Sequence, residues 1–171
     1  EVDAFLETTQ PAAEPGAHHV GFPEFPLVTL NAQEAKFAGK GLKYSSIHPN
    51  ASWIRNWTDP QDWPFWEIEV VEEGAFEVSL LFTCDEDAVG TRLEASVGDQ
   101  AVRGEITKAF NPAPFDHHDR VERSESYDKP FAMMKLGVLN LKKGAGVLTL
   151  KALNMPGREV MHLRAIRLER R

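Results

Sequence analysis

Trp53, Trp57, Trp63 and Trp66 are the only four tryptophans of the chain, and they fall within fourteen residues. A tryptophan plane is a surface on which the C–H face of a sugar ring can stack. Neighbouring polar side chains can then take the ring hydroxyls. Arg55, Asn56, Asp59 and Asp62 stand in the same stretch. The pattern points to carbohydrate contacts by Trp53, Arg55, Trp57, Asp59 and Trp63. Trp66 reads differently, because it is in phase with Ile68 and Val70 and so belongs to a core. Trp53 and Trp57 are expected to divide, one packed and one exposed. Trp63, between Asp62 and Pro64, fits either a sugar platform or a docking surface for another domain, where aromatics are also enriched.

A second polar run is Asp116-His117-His118-Asp119-Arg120, with Arg123 close behind. Adjacent side chains rarely all converge on one ion, and neither spaced histidine pattern of a zinc site is present. Calcium would suit such a loop through carboxylates and carbonyls, and Asp85-Glu86-Asp87 is another acidic turn of that kind. A Ca2+ ion is therefore an open option at either run, beside the simpler reading of solvated loops. Asp119 and Arg120 have a further option, a charge-assisted pair that pins the loop. His117, His118, Asp119, Arg120 and Arg123 complete the candidate ligand-binding set. Arg103, Lys108, Arg120, Arg123 and Lys135 would suit sulfate esters if they lined one groove. Scattered surface charge is the competing reading, and it applies equally to Arg164, Arg167, Arg170 and Arg171.

The elements that must carry these residues are strands. Trp66, Ile68 and Val70 alternate with Glu67 and Glu69. Phe76, Val78, Leu80 and Phe82 alternate likewise, as do Leu93 to Val97, Leu148 to Ala152 and Met161 to Ala165. Period-two patterning of this length means half-buried antiparallel strands. Turn residues separate the runs at Glu72-Glu73-Gly74, Val97-Gly98-Asp99-Gln100, Lys142-Lys143-Gly144 and Pro156-Gly157. The expected fold is all-β, an antiparallel β-sandwich over residues 27–171. Two long irregular segments, 45–64 and 109–130, interrupt it, and loops of that length usually carry function. Residues 1–26 read as an extension and linker, the stub of a preceding domain. Phe22 and Phe25 are expected to pack down on the sandwich.

Composition sets the outer bounds. The chain has 171 residues, 19 Lys and Arg against 26 Asp and Glu, and a net charge of -7. That balance argues against holding nucleic acid by bulk electrostatics. No apolar run approaches the ~20 residues of a membrane-spanning helix. One cysteine, Cys84, excludes an intrachain disulfide and, within its apolar run, reads as buried and inert. No nucleophile elbow, phosphate-binding glycine loop or spaced histidine pair is present, so the chain reads as non-catalytic. The sequons Asn50-Ala51-Ser52 and Asn56-Trp57-Thr58 matter only in a eukaryotic secretory setting.

Four stretches taken in order carry a family resemblance. The first is Val20-Gly21-Phe22-Pro23-Glu24-Phe25-Pro26, and the second is Ile54 to Asp59 with Trp66 to Val70. The third is Leu81 to Cys84 with Val89-Gly90. The fourth is Asp119 to Arg123 with Glu125-Ser126-Tyr127, Lys135-Leu136-Gly137 and Gly146 to Leu150. Together they resemble the C-terminal accessory β-sandwich of many bacterial arylsulfatases. That resemblance implies a jelly-roll similar to galactose-binding-like folds and carbohydrate-binding modules. It further implies a sulfatase catalytic domain in the same polypeptide, a glycan or sulfated polysaccharide as ligand, and a periplasmic or extracellular bacterial setting. The Cys/Ser-x-Pro-x-Arg signature of a sulfatase nucleophile is missing, since Asp85, Glu86 and Asp87 follow Cys84. What is implied is an accessory domain without the sulfatase active site, either binding glycan or shaping the cleft of its neighbour.

Overall fold

A computed structural model describes residues 16–47, 50–115, 120–121 and 125–171. In chain order the strands are β1 (His18–Val20), β2 (Leu27–Asn31), β3 (Lys36–Ala38), β4 (Lys43–Tyr44), β5 (Ile54–Arg55) and β6 (Trp63–Val70). They continue as β7 (Gly74–Thr83), β8 (Arg92–Val97), β9 (Gln100–Glu105), β10 (Ala132–Leu141), β11 (Gly144–Ala152) and β12 (His162–Arg170). Two short 3-10 turns, Ala32–Glu34 and Glu86–Ala88, are the only helical residues among those described.

The strands form two six-stranded sheets. One runs β1-β6-β11-β8-β9, with β3 also on the outer edge of β6. The other runs β10-β7-β12-β5-β4, with β2 also paired to β12. Every pairing is antiparallel except β1 with β6, which is parallel. The five alternating runs read from the sequence fall in β6, β7, β8, β11 and β12, with only Met161 preceding its strand. Their apolar residues, among them Trp66, Ile68, Val78, Leu80, Leu93, Leu148, Leu150 and Leu163, are fully buried between the sheets. Burying one face of each sheet is what holds such a sandwich together.

Strands β9 and β10 show how the sheets join at one corner. The register of β10 shifts between Lys135 and Gly137, so Leu136 bulges toward β9. A Cβ on Gly104 of β9 would stand 2.6 Å from Leu136 Cδ2. Glycine at 104 is thus the space that the bulged leucine fills. Cys84 is buried, as expected, just past the end of β7. Burial pushes its thiol up, and the nearby carboxylates of Asp85, Glu86 and Asp87 add to that against the backbone hydrogen bond from Phe110.

The segment before residue 27 departs from expectation. His18–Val20 is a strand of the sandwich itself. Phe22 and Phe25 do not pack down on it, being 38% and 69% exposed. Both stand on a tight turn closed by Phe25 N–H donating to Phe22 O, 3.1 Å, and the Phe22 ring lies 6.3 Å from that of His19.

Candidate functional site

The two long irregular segments meet at one end of the sandwich. Ser126 Oγ and Ser45 Oγ are 2.6 Å apart, and the rings of Trp53 and Phe131 are 5.9 Å apart. The start of β12 supplies the third wall. Trp53 stacks on His162 with centroids 6.3 Å apart and planes 23° apart.

A buried polar chain runs beneath this meeting point. Lys129 is 6% exposed, and its ammonium lies 2.8 Å from His162 Nδ1. An ammonium only donates, so Nδ1 accepts and the ring proton sits on Nε2. Nε2 faces Glu159 Oε2 at 3.5 Å. The other oxygen of Glu159 accepts the backbone N–H groups of Asn56 and Trp57. Burial pushes the Glu159 carboxyl up. The hydrogen bond from His162 and the two backbone donors outweigh that and hold it below its ordinary range. Burial pushes the Lys129 ammonium down, opposed by the charges of Glu159 and Asp85. The same ammonium stands 5.2 Å from the Trp53 ring centre and 5.6 Å from that of Phe131. Lys129 is therefore an internal cation that ties the 111–131 segment to β12 and to the tryptophan segment.

The surface of this end is polar and aromatic. Asn111 Nδ2 donates to Asp85 Oδ1 at 2.6 Å. Phe115 N–H donates to Asp128 O at 2.9 Å, tying the two limbs of this segment together, and Phe115 and Tyr127 are 54% and 37% exposed. The cavity between Thr83, Asp85, Asn111, Glu159 and His162 is about 30 Å³, too small for a sugar ring. Any ligand would lie across the surface and not inside the polar chain. Trp53 Nε1 and Thr83 Oγ1 are buried here with no hydrogen-bond partner among the described residues.

The individual residues singled out from the sequence disperse. Trp57 is fully buried and donates from Nε1 to Asp62 O at 2.8 Å, and Trp53 is 9% exposed. The expected division of these two between core and surface is not found. Both are held inside, because the 45–62 segment folds its tryptophans under itself. Trp63 instead lies on the outer face of the β6 sheet, half-buried, with Lys151 Nζ 4.1 Å over its ring. Arg55 and Asp59 are exposed. Arg55 Nε donates to Tyr44 O and Asp59 Oδ1 accepts from Gln61 N–H. Asp62 is a buried brace that accepts from Lys40 and Gly41 N–H groups. Gly39 has a φ of +97°, and a Cβ there would collide with the Asp62 carboxylate, so glycine is required.

Arg120 is exposed, while His117, His118, Asp119 and Arg123 lie outside the described residues. Two of the cations expected to line a groove, Arg103 and Lys135, stand apart. Arg103 pairs with Glu94 on one sheet and Lys135 with Glu77 on the other, each at 2.7 Å, so they occupy opposite outer faces. The C-terminal arginines are tied down separately: Arg164 to Ser52 O, Arg167 to the Met133 sulfur, Arg170 to Gly21 O, Glu73 O and Glu72, and Arg171 to Glu77. Among the described residues no three His, Cys, Asp or Glu side chains stand together as metal ligands. No helix of the described residues is long and apolar enough to cross a membrane. Sequence reasoning missed Lys129, Glu159 and His162. They are spread over more than thirty positions with no motif, and only the unusual length of the two loops signalled where they would meet.

No protein-family model matches the chain, and no curated protein sequence does. Solved structures do match in fold. The GH26-CBM35 β-(1,4)-mannanase of Podospora anserina matches 85% of this chain with a TM-score of 0.57 and 10% identity. The mosquito-larvicidal Cry4Aa toxin of Bacillus thuringiensis matches 85% with 0.60 and 9%. This chain spans 28% of the first and 23% of the second. A carbohydrate-binding module of Cellvibrio mixtus lichenase 5A, solved in complex with cellotriose, matches 84% of this chain and 97% of its own length, with 0.55 and 14%. At these identities the likeness concerns the fold, which a toxin shares with glycan-binding modules. The chain is a β-sandwich of the kind found in carbohydrate-binding modules.

Proposed function

We propose that this chain is a non-catalytic carbohydrate-binding module that takes glycan across the end of the sandwich where residues 45–62 and 106–131 meet. One observation carries the reading. Phe115 and Tyr127 are exposed aromatic residues on a segment anchored by the Asp85–Asn111 pair and by the buried Lys129, which His162 and Glu159 brace. Rigid aromatic planes beside fixed polar groups are what a sugar needs, and the braced base lowers the ordering cost of binding. Exposed Arg55 and Arg120 in the same two segments favour an anionic, sulfated glycan. Residency in a secreted, sulfatase-like polypeptide rests on the sequence resemblance alone.

Electrophoresis in gels cast with a sulfated galactan or an unsulfated β-glucan tests this. The chain is expected to be retarded by the sulfated polymer. Phe115→Ala or Tyr127→Ala is expected to weaken that affinity about tenfold, as loss of an aromatic anchor does. Free migration in every polysaccharide would overturn the proposal.

A second reading, docking on a neighbouring domain, draws on the exposed rings of Phe22 and Phe25 at the opposite end. On that reading Phe25→Ser leaves the stability of this chain within about 0.5 kcal/mol of the parent, because the ring contributes little to its own fold. Chemical denaturation measures it, and a clear loss of stability would assign the ring to the sandwich.

A further inference from the structure

Beside the end of the sandwich proposed for glycan, the edge of the β10–β7 sheet is interrupted. Ala132 opens β10 opposite Phe82, whereas Phe110 pairs with Cys84, two residues farther along. Between the 107–110 segment and the first residues of β10 lies a slot of about 320 Å³. Phe82, 4% exposed, forms part of its lining, with Ala132 and Met134. The rim is Phe110 and Met133, 37% and 55% exposed, and Lys108.

We propose that this slot is a binding site for a small aromatic carboxylate. The volume is at the lower end of ligand pockets, enough for a single ring with a short arm. Two phenylalanines and two methionines make the lining aromatic and adaptable, and thioether sulfur favours aromatic partners. The polarity is one-sided. Lys108 is the only charged residue of the lining, and no carboxylate among the described residues stands within ion-pair distance of it. In a chain of net charge -7, a cation with no carboxylate partner among the described residues, set beside an apolar slot, selects an anionic group on an apolar body. The β-sandwich is closed everywhere else along β7, so the interruption is a local feature of this edge.

Titration of the isotope-labelled chain with 3-phenylpropionate, followed by amide NMR, tests the assignment. Saturable shifts are expected at residues 107–110 and 132–134, with an affinity in the millimolar range. The neutral analogue 3-phenylpropanol should bind about threefold more weakly, as should the acid to K108E, the scale of one exposed ion pair. Lys108 is exposed, so K108E leaves the fold intact. Ala132→Leu, which fills the slot, should abolish the shifts while Tm stays near that of the parent. Absence of saturable shifts, or shifts confined to other residues, would overturn the site. Equal binding of acid and alcohol, or of hexanoate and phenylpropionate, would overturn the ligand class. Polysaccharide retardation of the Ala132→Leu variant should equal that of the parent, so the glycan reading stands or falls separately.

Discussion

Trp57→Ala is expected to lower the stability of the chain by about 4 kcal/mol, among the largest losses a single truncation produces. The ring is fully buried, its Nε1 donates to Asp62 O, and its backbone carbonyl accepts from Val160 N–H at 2.8 Å. Removing it leaves a cavity under the 45–62 segment and an unsatisfied carbonyl at Asp62. Asp62 in turn holds the backbone of Lys40 and Gly41, so the damage spreads to a second loop. For a chain of this size the loss corresponds to a fall in Tm of about 10 °C. Trp57→Phe should recover part of it by refilling the volume without the N–H donor. A loss below about 1 kcal/mol would mean that the ring is not a core element, and would return it to the list of sugar contacts.

Glu159→Ala is the second, with an expected cost of about 2 kcal/mol near neutral pH, since two backbone donors and His162 lose a charged acceptor. Its pH dependence is diagnostic. The folded carboxyl lies below the ordinary 4.5. The unfolded chain therefore takes up the proton first as pH falls. The stabilisation is fully present above the unfolded value and is lost as pH drops through the folded one. The gap between parent and variant in urea denaturation should stay constant from about pH 7 to about pH 5 and close below that. Glu159 also helps keep Lys129 charged against burial, so its removal should release the 111–131 segment as well. Hydrogen exchange at Phe115 and Lys129 should then accelerate. A gap that persists undiminished in acid would show that the carboxylate charge is not what braces this end.

Where side chains alternated, the fold was readable. Trp66, Ile68 and Val70, or Phe76, Val78, Leu80 and Phe82, announce a buried face by period alone, and each glycine-bearing turn fell between strands. Strand β10 hid because its bulge at residues 135–137 breaks the period in mid-strand. Strand β9 hid because one of its inward positions is Gly104, which contributes no side chain to a hydrophobic pattern. The site was readable only as two overlong loops. Composition shows four tryptophans close in sequence, but whether a loop turns them in or out depends on distant partners such as Asp62 and Glu159. Likewise Arg103 and Lys135 look alike in sequence, and only the sheet to which each strand belongs separates them.

The path of β12 has a practical corollary. It starts at His162 beside the braced end and finishes at Arg170, whose N–H donates to Pro26 O at 2.7 Å. Nine residues of strand set these points about 27 Å apart. The strand therefore ends at the pole remote from Phe115 and Tyr127. A tether attached after Arg171 would hang the domain with its aromatic tip pointing away from the anchor. Coupled to a bead through that residue, the domain would keep its support from shading the tip.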